Sequence, residues 1–163
     1  MKNLELSKIG FSALAAAAVL FVATVVLSVT LPSQRGDRYN LAFPDTAGGD
    51  VHHEWRILPE RTGVAAQAKL LLGEMMLGPV ALGAIPFISE ETELNSVIFT
   101  KSQKTIYIDF TADLIVGETV DDIPFVDVVD LLTRNLRHNI RGIESIVITI
   151  GGQMPDVPRF EPL

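Results

Sequence analysis

Histidines, carboxylates and a lone tryptophan are the side chains here that could do chemistry, and their spacing argues against most of it. His52 and His53 are adjacent. Neighbouring side chains of an extended strand leave opposite faces, so the two cannot easily close on one metal ion. His138 reads as lying on the polar side of a helix, and no carboxylate or cysteine stands at a ligand spacing. All three histidines are expected at the surface, with no metal. Asp109 and Asp113 form a carboxylate pair of the kind that shares acid–base work. Asp109 falls in a strand pattern and Asp113 in the turn after it. The expected role is a strand-end aspartate bonded to nearby backbone amides.

No G-x-S-x-G elbow, P-loop or G-x-G-x-x-G occurs. Gly151 and Gly152 follow the last strand pattern and open no helix, so they read as a turn. Trp55 is expected to pack on the core from a strand. The chain has no cysteine, which removes thiol nucleophiles, disulfides, thiolate metal sites and a bacterial lipoprotein anchor. A net charge of −7 denies nucleic acid the basic face it needs. The expectation is a non-enzymatic domain with no cofactor and no nucleic-acid partner.

The elements that must position these residues begin with an oily segment. Residues 9–31, IGFSALAAAAVLFVATVVLSVTL, are 23 in number and carry no charge. A helix of that length spans roughly 35 Å, against about 30 Å of bilayer hydrocarbon. Ile9, Leu20 and Leu31 mark its start, middle and end as a single-pass anchor. A cleaved signal peptide is the alternative, but the exit VVLSVTLPS lacks a small-x-small cleavage site. Lys2 and Lys8 precede the segment; Arg35 and Arg38 follow it. That balance leaves orientation to the short tail, residues 1–8, which favours an N-inside anchor in the inner (cytoplasmic) membrane. The rest then faces the periplasm or exterior.

Residues 32–37 read as a linker. Residues 38–43 (RYNLAF) and 51–58 (VHHEWRIL) form a hairpin across the Gly- and Asp-rich turn PDTAGGD. A helix is predicted over 62–77, capped by Thr62 and ended by Gly78-Pro79, with Val64, Ala68, Leu71, Leu72 and Met75 on one face. Residues 80–94 read as a long loop with Glu90, Glu91 and Glu93 on a solvated rim. Strands follow at 96–100 and 105–110. A second helix spans 123–140 with the stripe Phe125, Val128, Val129, Leu132, Leu136 and Ile140, and the last strand is 145–150. Acidic Asp121, Asp122 and Asp127 crowd that helix's start, and Arg134, Arg137 and His138 its end, which suits the helix dipole. The fold class is α/β (α+β): two helices on one face of a small mixed sheet, with an N-terminal β-hairpin, preceded by one transmembrane helix.

The stretches LLLGEMMLGP, IPFISEETELNSVIF, TIYIDFTADL and SIVITIGGQMP, with YNLAFPD and EWRILPE upstream, resemble the GerMN domain of sporulation and spore-germination proteins. The resemblance covers residues 38–155, followed by a tail, 156–163. It implies an extracytoplasmic, membrane-tethered scaffolding domain without an established catalytic site, in a sporulation-like or cell-wall-associated process. The chain departs from many members in lacking the lipoprotein cysteine and from some in having one copy of the domain.

Two functions follow. In the first, an interaction face centres on Ile98, Tyr107 and Val147, ringed by Thr100, Thr105, Asp109 and Thr149, and takes an envelope protein or a second copy. The hairpin or the long loop covering that face is the competing arrangement. In the second, the 80–94 loop, whose one aromatic is Phe87, binds cell-wall material or a small molecule.

Overall fold

The computed structural model describes residues 17–22, 24, 36–46, 51–117 and 123–155. The chain divides into two units, Met1–Arg35 and Gly36–Leu163. In the first, residues 17–22 and 24 are helical with exposed side chains, and the Thr24 hydroxyl donates to the Leu20 carbonyl at 2.8 Å. Leu20 of the expected anchor lies in this stretch; Ile9 and Leu31 lie outside the described residues. Among the described residues no helix is long and apolar enough to cross a membrane.

In the second unit, β1 (Gly36–Pro44) and β2 (Val51–Pro59) form an antiparallel hairpin. The strand takes in Gly36 and Asp37, so the domain opens two residues earlier than the expected linker boundary. α1 (Val64–Met76) follows, burying Ala68, Leu71, Leu72 and Met75 at helical spacing. Thr62 does not cap it. The N-cap is Gly63, at φ +93°, with no side-chain bond, because the chain turns through that glycine before the helix starts. Gly78 ends the helix at φ +78°, as expected of a Gly-Pro stop.

β3 (Leu94–Thr100), β4 (Thr105–Phe110) and β5 (Ser145–Ile150) form the mixed sheet, in the order β3-β4-β5. β4 is antiparallel to β3 and parallel to β5. Parallel neighbours need a crossover, and here it contains α2 (Asp113–Val116) and α3 (Phe125–Asn139). α2 replaces the plain turn expected after Asp109. It is a single turn, too short for periodicity to reveal. α3 buries Val128, Leu131, Leu132, Asn135 and Leu136, while Phe125 and Val129 of the expected stripe are half-buried. Its Asp130–Arg134 pair closes at 2.8 Å.

α1 runs beside β3, α3 beside β1, and the helices touch each other. One core joins Tyr39, Leu41 and Phe43 from the hairpin, Leu71 and Leu72 from α1, Leu132 and Leu136 from α3, and Ile106 and Ile108 from β4. The architecture is α+β, with a two-stranded and a three-stranded sheet.

Candidate functional site

The sheet has a packed face and an open face, and alternation assigns each residue to one of them. Ile106, Ile108 and Phe110 are fully buried, and Val97 and Phe99 are half-buried on the same side. On the other side Ile98, Tyr107 and Val147 form one row, Ile98 opposite Tyr107 and Tyr107 opposite Val147. Ile98 is 58% exposed and Tyr107 37%. Val147 is half-buried. Ile98 and Tyr107 thus stay open to solvent, while Val147 is partly covered. The Tyr107 hydroxyl donates to Gln103 Oε1 at 3.2 Å. Thr100 and Thr149 flank the row, half-buried. Thr105 does not join them: it is buried, and its hydroxyl donates to the Gln103 carbonyl at 3.1 Å.

Asp109 sits one pleat along from Tyr107 and ties three elements together. Its Oδ1 accepts from the Thr149 hydroxyl at 2.6 Å and from the Gly152 amide at 2.7 Å; its Oδ2 accepts from Asn95 at 3.0 Å. The Thr149 hydroxyl and then the Gly152 amide hold its carboxyl below the usual aspartate value. Such an aspartate stays ionised and bonded, which suits a strand-end clamp. Its backbone-amide bond is to Gly152, on the far side of the crossover and not in the local turn after Asp109. Asp113 opens α2, half-buried.

Trp55 is not in the core. It is 60% exposed, with the Arg38 guanidinium 4.9 Å from its ring centre. Strand parity explains this: Glu54, Arg56 and Leu58 share the inner face of β2 with the buried side chains of β1, so Trp55 and Ile57 turn outward. His52 and His53 sit opposite Phe43 and Ala42 on alternate faces, and His138 is exposed on α3. Phe87, the aromatic of the long loop, is fully buried edge-on to Phe43 with centroids 5.9 Å apart. It is not available to stack on a sugar. Glu90, Glu91 and Glu93 are exposed, while Ile85, Ile88, Ser89 and Thr92 around them are buried.

Two polar constructions have no counterpart in the sequence reading. The first caps the outer edge of β1. Asn135, 1% exposed, accepts from the Ala42 amide at 2.7 Å and donates to the Ala42 carbonyl at 2.9 Å. Asn139 does the same for Asn40, at 2.9 and 2.8 Å. Each amide side chain stands in for a partner strand. Asparagines four apart on the buried side of an otherwise apolar stripe are the signal that was available.

The second is a partly buried ion triad. Arg56 reaches Glu54 at 2.9 Å and Glu74 at 2.9 Å. Burial is the largest influence on the Glu54 carboxyl and opposes its charge. Donation from the Ala81 amide, from Arg56 and from the Val80 amide, with the Arg56 charge, together outweighs it and lowers the titration point.

A polar cleft of about 610 Å³ opens between Arg38, Tyr39, Gln67 and Arg141. Burial first, and then the Asp37 charge and hydrogen bond, raise the Tyr39 phenol.

Compared with known proteins, the chain matches no protein-family model and no curated protein. Among solved structures it is similar to the tandem GerMN domains of the sporulation protein GerM from Bacillus subtilis. The TM-score is 0.53 and identity 20%, over 74% of this chain and 41% of that one. A Clostridium perfringens protein designated a lipoprotein aligns over 74% of this chain and 78% of its own length, with 17% identity and a TM-score of 0.48. The fold shared over that part of the chain is therefore GerMN-like.

Proposed function

We propose that this chain is a non-catalytic interaction module of the cell envelope, held to the inner membrane by residues 9–31 and displayed on the periplasmic or outer side. The observation that carries the reading is the row Ile98–Tyr107–Val147, exposed at Ile98 and Tyr107, on a sheet braced from behind by a continuous core. An apolar aromatic centre with a hydroxyl-rich surround fits a protein interface better than it fits solvent. The occupant is an envelope protein or a second copy. The fold likeness to domains of a sporulation protein supports a process of that kind.

A photo-crosslinking residue at position 107 in membranes tests it. One discrete protein adduct, lost when Ile98→Asp is added, is expected; no adduct to any protein, including a second copy, overturns the reading. A small-molecule site is the alternative. Its support is the polar cleft whose lining includes Arg38 and Arg141, beside Asp37, since arginines suit a carboxylate or phosphate. Retention of the soluble domain on purified cell wall would favour it.

A further inference from the structure

Strand parity turns Trp55 and Ile57 out of the core, and it leaves them in company that suits a membrane surface. Trp55 is 60% exposed and Ile57 73%. Both stand on the outward side of β2, and Arg38 is the cross-strand partner of Ile57. The Arg38 guanidinium rests 4.9 Å from the Trp55 ring centre, so cation, indole and aliphatic side chain form one surface. No Asp or Glu alternates to this side along either strand of the hairpin. Asp37, the neighbour of Arg38, points the other way, where the Tyr39 phenol donates to it. Arg38 and Arg141 both line the cleft at the start of β1, and neither forms an ion pair among the described residues.

We infer that this side of the hairpin docks on phospholipid headgroups of the membrane that residues 9–31 enter. Trp55 and Ile57 sink into the interfacial layer, and Arg38 and Arg141 meet lipid phosphates. The inference rests on the anchor in the proposed function and is independent of the sheet-face row. Covalent reach supports it. Leu31 ends the oily segment and Gly36 opens β1 five peptide steps later, about 17 Å at full extension. The headgroup layer outside the hydrocarbon is itself about 5–8 Å deep. An anchored chain therefore holds Gly36 and Arg38 beside that layer. The chemistry matches the layer as well. Indole combines an apolar body with an N–H and collects at headgroup depth, and arginine spans the same zone with an apolar stem and a charged tip. A free phosphate would engage the guanidiniums without needing Trp55 or Ile57. A soluble protein partner would not need the surface to lie next to the tether.

The chain holds a single tryptophan, so its fluorescence reports this surface directly. The full chain is reconstituted into vesicles of three parts phosphatidylethanolamine to one of phosphatidylglycerol, and the vesicles are floated. Trp55 is then quenched from the lipid side by phospholipid brominated high on its acyl chains, and from the water side by iodide. The expected result is strong quenching by the brominated lipid, a blue-shifted emission, and weak quenching by iodide. Ile57→Asp and Arg38→Glu should each raise iodide quenching about threefold and lower lipid quenching to match, with the circular dichroism unchanged. A chain that floats with the vesicles while iodide reaches Trp55 freely overturns the inference and leaves the anchor standing. Lipid quenching indifferent to both substitutions overturns it too, as does a Trp55 shielded from both quenchers, which a second copy would produce. A chain that fails to float removes the anchor and the inference together.

Discussion

Asn135 shows how much a single side chain can decide in this fold. Its amide satisfies the amide and carbonyl of Ala42 at a site with almost no access to water. Leaving buried groups unpaired costs about 1–3 kcal/mol each. Asn135→Ala should therefore lower stability by about 2 kcal/mol or more in urea titrations, and Asn139→Ala by less, because Asn139 is half-buried. Arg56 is the second such residue. Arg56→Met strips the counter-charge from Glu54 and Glu74 and should cost about 1–3 kcal/mol, less than in a fully buried pair because Glu74 stays partly open to water.

The same network sets a pH dependence. Glu54 titrates below its ordinary value of 4.5 in the folded chain. Its contribution is therefore present above that value and is lost as pH falls through the lower, folded one. The urea midpoint should hold between about pH 7 and pH 5 and then decline below about 4.5, and Glu54→Gln should make that decline shallower. A decline just as steep in Glu54→Gln would assign it to other carboxylates.

Among the elements, those with a repeating pattern were legible in the residues and those without one were not. The alternation in SVIFT, TIYIDF and SIVITI placed the three sheet strands and sorted their side chains between two faces, but left open whether another element covered the outer one. The 3.6-residue stripe placed α3. Composition could not settle β2, whose alternate residues are Trp and Ile on one side and Glu, Arg and Leu on the other. The apolar choice was wrong because Glu54 and Arg56 satisfy each other and the loop beneath the hairpin. The Asn135–Asn139 cap and the Glu54 bonds to the Val80 and Ala81 amides are long-range arrangements, so no local window contains them. Leu132 belongs to the legible part and is fully buried. Leu132→Ala should cost about 2–5 kcal/mol, a large share of the roughly 5–15 kcal/mol that holds such a domain. An unchanged melting curve would contradict the packing of α3.

For the molecule as a whole, the proposal is that an oily N-terminal segment holds the GerMN-like domain outside the cytoplasm. The chain's lack of cysteine makes that placement directly measurable. Lys101 is exposed in the turn between β3 and β4, so Lys101→Cys supplies one reactive thiol without touching the core. Cells producing the full-length variant are treated with a membrane-impermeant maleimide before and after lysis, and the chain is fractionated. The predicted result is labelling of unbroken cells or spheroplasts, on a chain that stays with the membranes through an alkaline wash. Labelling only after lysis, or a full-length chain in the soluble fraction, would contradict it.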